Sequence, residues 1–308
     1  MKNQMNKVHE KHPNLQKLWV ELQDALPPLW SGIHRLNLNH GKVRLTLIYN
    51  DVLEALKNSI FKADAWFLDG FSPNKNHDMW SLEVMSEIYR LTKPSGTFAT
   101  FSSAGFVRRN LEKAGFDVKK IKGYNFKKEM SCGQKPGMEK SKEKFSKIVI
   151  VGGGVAGASI ASSLRKRGYD PIVIEKNNKL AQGSSGNLAA VQHPRLTTVN
   201  TPNGRLSLSC YRYSRDLAKR LGVAIDDKSI IFGTPEREIK KQEKLLSQGW
   251  PTDLLRKLTE EDKLEITSSK INLSGIVHDY GGTIKPIQFV NNLMPNDIEI
   301  IFDQEIID

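Results

Sequence analysis

The 308 residues are 39% apolar and 26% charged, enough for a sizeable core and, by length, for about two domains. Two cysteines in separate halves, Cys132 and Cys210, exclude a disulfide framework and fit a reducing cytoplasm. The N-terminus has no apolar signal region and no run reaches the roughly 18 apolar residues of a membrane span, while a net charge of +12 admits a polyanionic partner.

That charge has a plainer reading, lysines spread over a solvated surface, and much of it sits in two runs, "KKIKGYNFKK" and "KPGMEKSKEKFSK". In chain order, "VRLTLIYN" alternates as a half-buried strand and leads to Asp51 and a helical "VLEALKNSIF". "ADAWFLD" is a nearly continuous apolar run, expected as a parallel strand covered on both faces, which ends on Asp69. "SLEVMSEIYRLT" has helical spacing and stops before Pro94, and "GTFATFSS" is the next strand. "GFVRRNLEKAGF" is a helix with Gly115 in C-cap position, followed by strands in "DVKKIKGY" and "KEMSCG". Alternating strands and helices predict an open α/β sheet with right-handed crossovers over residues 1–133. Residues 134–146, rich in Lys, Pro, Gly and Ser, read as a linker.

Residues 147–308 open with "KIVIVGGGVAGASIASSLRKRGYDPIVIEK", a βαβ unit. Gly152 permits a tight turn, Gly153 continues it, Gly154 lets a pyrophosphate approach the backbone, and Gly157 lets the helix pack on the strand. The phosphates then meet a helix N-terminus, whose N–H groups and dipole favour anions. Glu175 ends the second strand, eighteen residues after Gly157, where a carboxylate can accept from ribose hydroxyls. Downstream, "AQGSSGNLAAVQHP" and "SGIVHDYGGTIKPIQFVNNL" resemble segments of the amino-acid-oxidase-like flavoproteins, which include glycine and sarcosine oxidases. That resemblance implies FAD, makes Ser184, Ser185, Gly186 and Asn187 cofactor contacts rather than a plain polar loop, and marks a substrate domain. His193, before Pro194, is read as structural.

In a doubly wound sheet ligands bind at the carboxyl ends of the strands, which predicts Asp51 and Asp69 on one rim. Acids closing two successive strands resemble the arrangement of methyltransferase sheets, which implies that Asp51 contacts S-adenosylmethionine and Asp69 lies beside the reacting group; the competing reading is that Asp69 only caps its turn. "DAWFLDGFSPNKNHDMW", "GTFATFSSAGFVRRNLEKAGF" and "KGYNFKKEMSCG" resemble the methyltransferase half of the bifunctional tRNA 5-methylaminomethyl-2-thiouridine biosynthesis family, in which such a half precedes an FAD oxidoreductase half. The implied fold class is α/β: a partial Rossmann-like methyltransferase sheet, then an FAD-binding Rossmann-type domain with a partial α+β substrate domain.

The implied function is a two-step enzymatic modification of the wobble uridine of tRNA in the cytoplasm. FAD-dependent oxidation removes the carboxymethyl group of carboxymethylaminomethyl-2-thiouridine as glyoxylate, and S-adenosylmethionine methylates the exposed amine. Asp69 is the implied catalytic acceptor or orienter of the amine proton, and Phe71 and Trp80 are platforms for the base, with core packing the alternative for Trp80. No metal and no membrane partner are implied. The family's first strand and adenosyl loop are expected before position 1, and its return to the FAD sheet after Asp308, so the chain is expected to be truncated at both ends. A stand-alone flavin amine oxidase and a non-catalytic tRNA-binding remnant are the alternatives.

Overall fold

The computed structural model describes residues 12–27, 29, 31–125, 127–138, 147–199, 201–225, 228–267 and 272–307. The N-terminal stretch read for a signal region (1–11), residues 139–146 of the expected linker and Phe126 of the basic run lie outside them. The chain divides into two compact units, one of residues 50–144 and one of the residues on either side of that span.

Helix α1 (Gln16–Ala25) precedes a hairpin of β1 (Gly32–Leu38) and β2 (Val43–Tyr49), paired from Gly32↔Tyr49 to Leu38↔Val43. Asn39 and Gly41 turn the chain with φ of 49° and 85°. His34 and Leu36 face inward, and Asn37 Nδ2–H donates to Tyr213 OH at 3.1 Å, so the hairpin folds with the C-terminal residues. The strand expected at 43–50 is therefore present, but it pairs with β1 alone and not with the sheet that follows.

The 50–144 unit runs α2 (Val52–Lys57), β3 (Ala63–Phe67), α3 (Leu82–Leu91), β4 (Thr92–Thr100), α4 (Gly105–Ala114), β5 (Asp117–Lys122) and β6 (Glu129–Gln134). Its sheet has the order β3-β4-β6-β5, with β3 parallel to β4 and the β4–β6 and β5–β6 pairs antiparallel. Strand β3 is an edge, and it is not covered on both faces: Asp64, Ala65 and Phe67 are exposed, Phe67 to 87%. Pro94 falls within β4, where the register against β3 jumps from Ala63↔Thr92 to Ala65↔Thr97 and spares the ladder a missing N–H. The amphipathic helices α3 and α4 bury Val84, Met85, Ile88, Leu91, Val107 and Leu111 against Phe98, Phe116 and Trp80. Gly115, at φ 112°, closes α4 as expected.

The second unit continues with β7 (Ile148–Val151), α5 (Val155–Arg165), β8 (Pro171–Ile174), β9 (Ala190–Gln192), α6 (Pro202–Arg220), β10 (Ser229–Phe232), α7 (Glu236–Leu246), β11 (Arg256–Lys257), α8 (Glu260–Thr267), β12 (Gly275–His278), β13 (Gly282–Ile284), α9 (Pro286–Leu293) and β14 (Glu299–Ile301). A parallel sheet of order β14-β8-β7 packs Ile150 and Val173 against Ala158 and Ala161 of α5 and Phe289, Val290 and Leu293 of α9. Antiparallel sheets β10-β12-β11 and β13-β9 form the rest. The return to the parallel sheet, expected only after Asp308, comes earlier: "DIEIIFDQEIID" supplies β14, with Glu299–Ile301 in register with Ile172–Ile174. Ile298 and Ile300 pack against the buried face that β8 presents, while Glu299 is exposed. Among the described residues no helix is long and apolar enough to cross a membrane, and no group of three His, Cys, Asp or Glu is placed to hold a metal.

Candidate functional sites

At the carboxyl ends of β7 and β8 the second unit has a cleft of about 410 Å³. The glycines shape it. Gly152 turns the chain out of β7 at φ 97°, and Gly154 is the N-cap of α5. A Cβ on Gly157 would lie 1.9 Å from Gly152 O, a backbone atom, so that position has no room for a side chain, whereas one on Gly153 would displace the side-chain end of Leu180 at 2.5 Å. The first turn of α5 leaves backbone N–H groups without intrahelical acceptors, and one of them, Val155 N–H, donates to Ser185 Oγ at 3.0 Å. The cradle thus has the close backbone approach and helix N-terminus that a pyrophosphate requires.

Glu175 organises this cradle. Its Oε2 accepts from Gly153 N–H at 2.6 Å; Oε1 accepts from Asn177 N–H at 3.0 Å and Asn177 Nδ2–H at 2.6 Å. The side chain is 6% exposed. Burial, the largest single influence, pushes its pKa up, but the hydrogen bonds from Asn177 and Gly153 outweigh it and hold the carboxyl below its ordinary range. The expected carboxylate therefore stands in the cleft wall, pinning the glycine turn from behind.

Ser184 and Ser185 line the cleft beside Gly152, Gly154 and Gly157; Gly153, Gly186 and Asn187 do not. Gly186 holds the local turn, since a Cβ there would lie 2.6 Å from Ala181 O. Asn187 is exposed and follows the 3₁₀ turn Ser184–Gly186 as its C-terminal cap. Lys176, Asn177, Gln182 and Gln304–Ile306 also line the cleft and were missed in the sequence. For the last three the signal was the apolar run at 298–301, which delivers the following residues to the same rim. His193 stacks on buried His278 with centroids 5.9 Å apart and does not line the cleft. Burial lowers the pKa of His278, whose Nδ1 meets Leu254 O at 2.7 Å.

In the 50–144 unit, Asp51 is the N-cap of α2: Oδ1 accepts from Leu53 N–H at 2.9 Å and Glu54 N–H at 3.2 Å. Because β2 pairs only with β1, Asp51 and Asp69 do not close strands of one sheet, which corrects the expected shared rim. Asp69 does close β3 at the carboxyl end of the sheet; it is exposed, and its backbone N–H donates to Phe67 O at 3.0 Å. Phe71 is 73% exposed. Trp80 is 2% exposed, edge-on to Phe101 at 6.3 Å. The expectation of Trp80 as a base platform is corrected: its ring is core, and its Nε1–H donates to Phe71 O at 2.9 Å. It holds the turn that presents Phe71. Beside this turn, Ser72, Pro73, Phe101, Ser102, Lys127 and Lys128 line a second pocket of about 340 Å³.

The glycine-cradled cleft and the acid-bearing sheet rim lie in two parts that match two family models, S-adenosyl-L-methionine-dependent methyltransferase over residues 13–136 and FAD dependent oxidoreductase over residues 147–295. Relatives carry both parts. The chain is 33% identical over 280 residues to the tRNA 5-methylaminomethyl-2-thiouridine biosynthesis bifunctional protein of Methylobacillus flagellatus, covering 87% of this chain and 43% of that protein. It is 36% identical over 292 residues to the Pseudomonas aeruginosa protein of the same name, covering 87% and 44%. A glycine oxidase from Bacillus cereus overlaps 52% of the chain and 48% of its own at a TM-score of 0.41 and 22% identity, a partial likeness without functional weight. The chain belongs to the bifunctional tRNA 5-methylaminomethyl-2-thiouridine biosynthesis family. It spans less than half the length of these relatives.

Proposed function

We propose that this chain carries parts of both sites of a cytoplasmic enzyme that converts the carboxymethylaminomethyl group on a tRNA wobble 2-thiouridine first to aminomethyl and then to methylaminomethyl. The methyltransferase portion is assigned to 1–133, the linker to 134–146 and the oxidoreductase portion to 147–308. The observation that carries the reading is the cleft at 152–157, where Gly157 has no space for a Cβ and a buried carboxylate pins the turn through Gly153 N–H. That arrangement fits FAD, with Gly152, Gly154 and Ser185 against the pyrophosphate and Glu175, beyond its three protein donors, towards a ribose hydroxyl. Ser184 extends this wall, and Gly186 and Asn187 shape the turn that presents it.

When bound, FAD supplies the hydride acceptor for oxidising the carbon–nitrogen bond, and S-adenosylmethionine supplies an electrophilic methyl group. The chain's residues bind and orient. Water adds to the oxidised carbon, and glyoxylate departs from the primary amine. At the other site the amine must lose a proton as the N–CH3 bond forms and the S–CH3 bond breaks. Asp69, exposed at the sheet rim, accepts that N–H and aims the lone pair. Phe71 offers a face for the uracil ring. Asp51 contributes the oxygen not used in capping α2 to a hydroxyl of the methyl donor.

A visible absorption spectrum of the purified chain, together with titration of a tRNA anticodon stem–loop, tests the reading. Bound flavin and salt-sensitive RNA binding are expected. Absence of flavin after reconstitution overturns the oxidoreductase assignment, and flavin without RNA binding favours a small-molecule amine oxidase. In a full-length relative, the Asn substitution at the position matching Asp69 is expected to abolish methyl transfer and spare glyoxylate release.

A further inference from the structure

The run "KKIKGYNFKK" plays no part in the site chemistry above. In the 50–144 unit it forms β5 and the turn into β6. Strand β5 is an edge, and Lys119, Lys120 and Lys122 are exposed on it. Lysines on an edge strand have an ordinary use, blocking strand addition. Lys120 fits that use, with its charge met by Glu129 at 2.6 Å. The lysines of the turn do not. Among the described residues no carboxylate pairs with Lys122, Lys127 or Lys128. The turn is closed on itself: Gly123 N–H donates to Lys128 O at 3.2 Å and Lys127 N–H to Tyr124 O at 3.1 Å. A Cβ on Gly123 would lie 2.5 Å from Lys127 O, so the turn is built to this shape. It displays Tyr124 at 89% exposure between the lysines. Lys127 Nζ lies 5.1 Å from the centroid of the Phe101 ring, and Lys127 and Lys128 line the pocket that Ser72, Pro73 and Ser102 share.

We propose that the β5–β6 turn is the RNA-gripping element of the methyltransferase portion: Lys122, Lys127 and Lys128 hold backbone phosphates of a single-stranded loop, and Tyr124 stacks on a base next to the one taken into the pocket. This rests on the tRNA reading above. Cations and an exposed aromatic on one short, self-braced turn match single-stranded nucleic acid, in which phosphates and unstacked bases alternate. A paired stem would use the cations and leave Tyr124 idle. The adjoining pocket receives the base without any element crossing the groove of a duplex.

The test uses the full chain, a 17-nucleotide anticodon stem–loop RNA, and the same stem closed without a loop. Lys122→Ala, Lys128→Ala and Tyr124→Ala lie on exposed positions, and circular dichroism checks each fold. Each lysine variant is expected to make the slope of log K against log salt shallower by about 0.7. Tyr124→Ala is expected to weaken stem–loop binding roughly 5- to 150-fold, leaving the slope and the stem-only affinity unchanged. Lys240→Ala, on α7, removes one charge elsewhere and is the control. Wild-type binding with unchanged slopes in both lysine variants overturns the proposal and leaves the tRNA reading standing. Equal losses on both RNAs for Tyr124→Ala overturn the stacking assignment. A wild-type chain that binds neither RNA overturns both readings.

Discussion

Substituting Glu175→Gln tests whether one buried carboxylate shapes the flavin cleft. The wild-type side chain meets three donors: Gly153 N–H at 2.6 Å, Asn177 N–H at 3.0 Å and Asn177 Nδ2–H at 2.6 Å. A glutamine offers one oxygen and one NH2. Turned towards Asn177, its oxygen keeps two bonds, and the NH2 then confronts Gly153 N–H, donor against donor. A buried unmet donor costs about 1–3 kcal/mol, and the two remaining bonds lose their charge assistance, for a total of about 2–4 kcal/mol. Hydrogen exchange is the assay, since a chain of two units has no single unfolding free energy. Amides of 150–157 are expected to open 2–4 kcal/mol more readily (about 30- to 1000-fold), whereas those of Leu82–Leu91 keep their protection. Flavin retained after gel filtration should fall in parallel. Unchanged exchange at 150–157 with full flavin retention would refute the role given to Glu175.

The same carboxyl makes a pH prediction. Its folded pKa lies below the unfolded value, so its stabilisation is complete above about pH 4.3 and is lost as pH falls through the folded value. Protection of 150–157 in the wild type should therefore converge on that of Glu175→Gln in acid; a constant gap down to pH 2 contradicts it. Gly157→Ala sets a methyl 1.9 Å from Gly152 O, which forces α5 off β7, and is expected to abolish flavin binding with the 50–144 unit still folded by exchange. Asp262→Asn removes the charge and one of the two oxygens that meet Arg256 at 2.6 and 2.8 Å, at a cost of about 1–3 kcal/mol in local opening of 256–262; a loss under about 0.5 kcal/mol would class the pair as a surface contact. Trp80→Phe keeps an aromatic core residue but deletes the bond to Phe71 O, so amides of 69–76 should exchange about 5- to 10-fold faster, while those of 105–114 do not change.

The βαβ glycine unit was legible because its requirements are local. A tight turn, a close approach and an acid ending the next strand each name a residue type at a fixed spacing. Helices α3 and α4 were legible for the same reason, through periodicity and the Gly115 cap. What could not be read was pairing at a distance. Nothing in "VRLTLIYN" says that its partner is β1 and not β3, and nothing in "IEII" says that it lies beside Ile172–Ile174. Trp80 failed differently. An aromatic in an acid- and proline-rich turn has the composition of a ligand site whether its ring faces in or out, and only the packing against Phe101 decides.

Three acids follow strands here, and all three read alike in sequence as ligand contacts. The structure separates them by how much of each carboxylate is already used. Glu175 is buried with three protein donors, so most of its capacity goes into the shape of the cleft. Asp51 gives one oxygen to two N–H groups of α2 and is half committed to a helix end. Asp69 is exposed, and among the described residues no protein group donates to its carboxylate. A carboxylate without protein donors can take a substrate N–H at the cost only of the water it already holds, whereas Glu175 has about one accepting position left beyond the bonds that keep Gly153 in place. Of the three, Asp69 keeps its full accepting capacity open, which favours it for the proton-accepting role proposed above. Glu175 spends most of its capacity on holding the glycine backbone still.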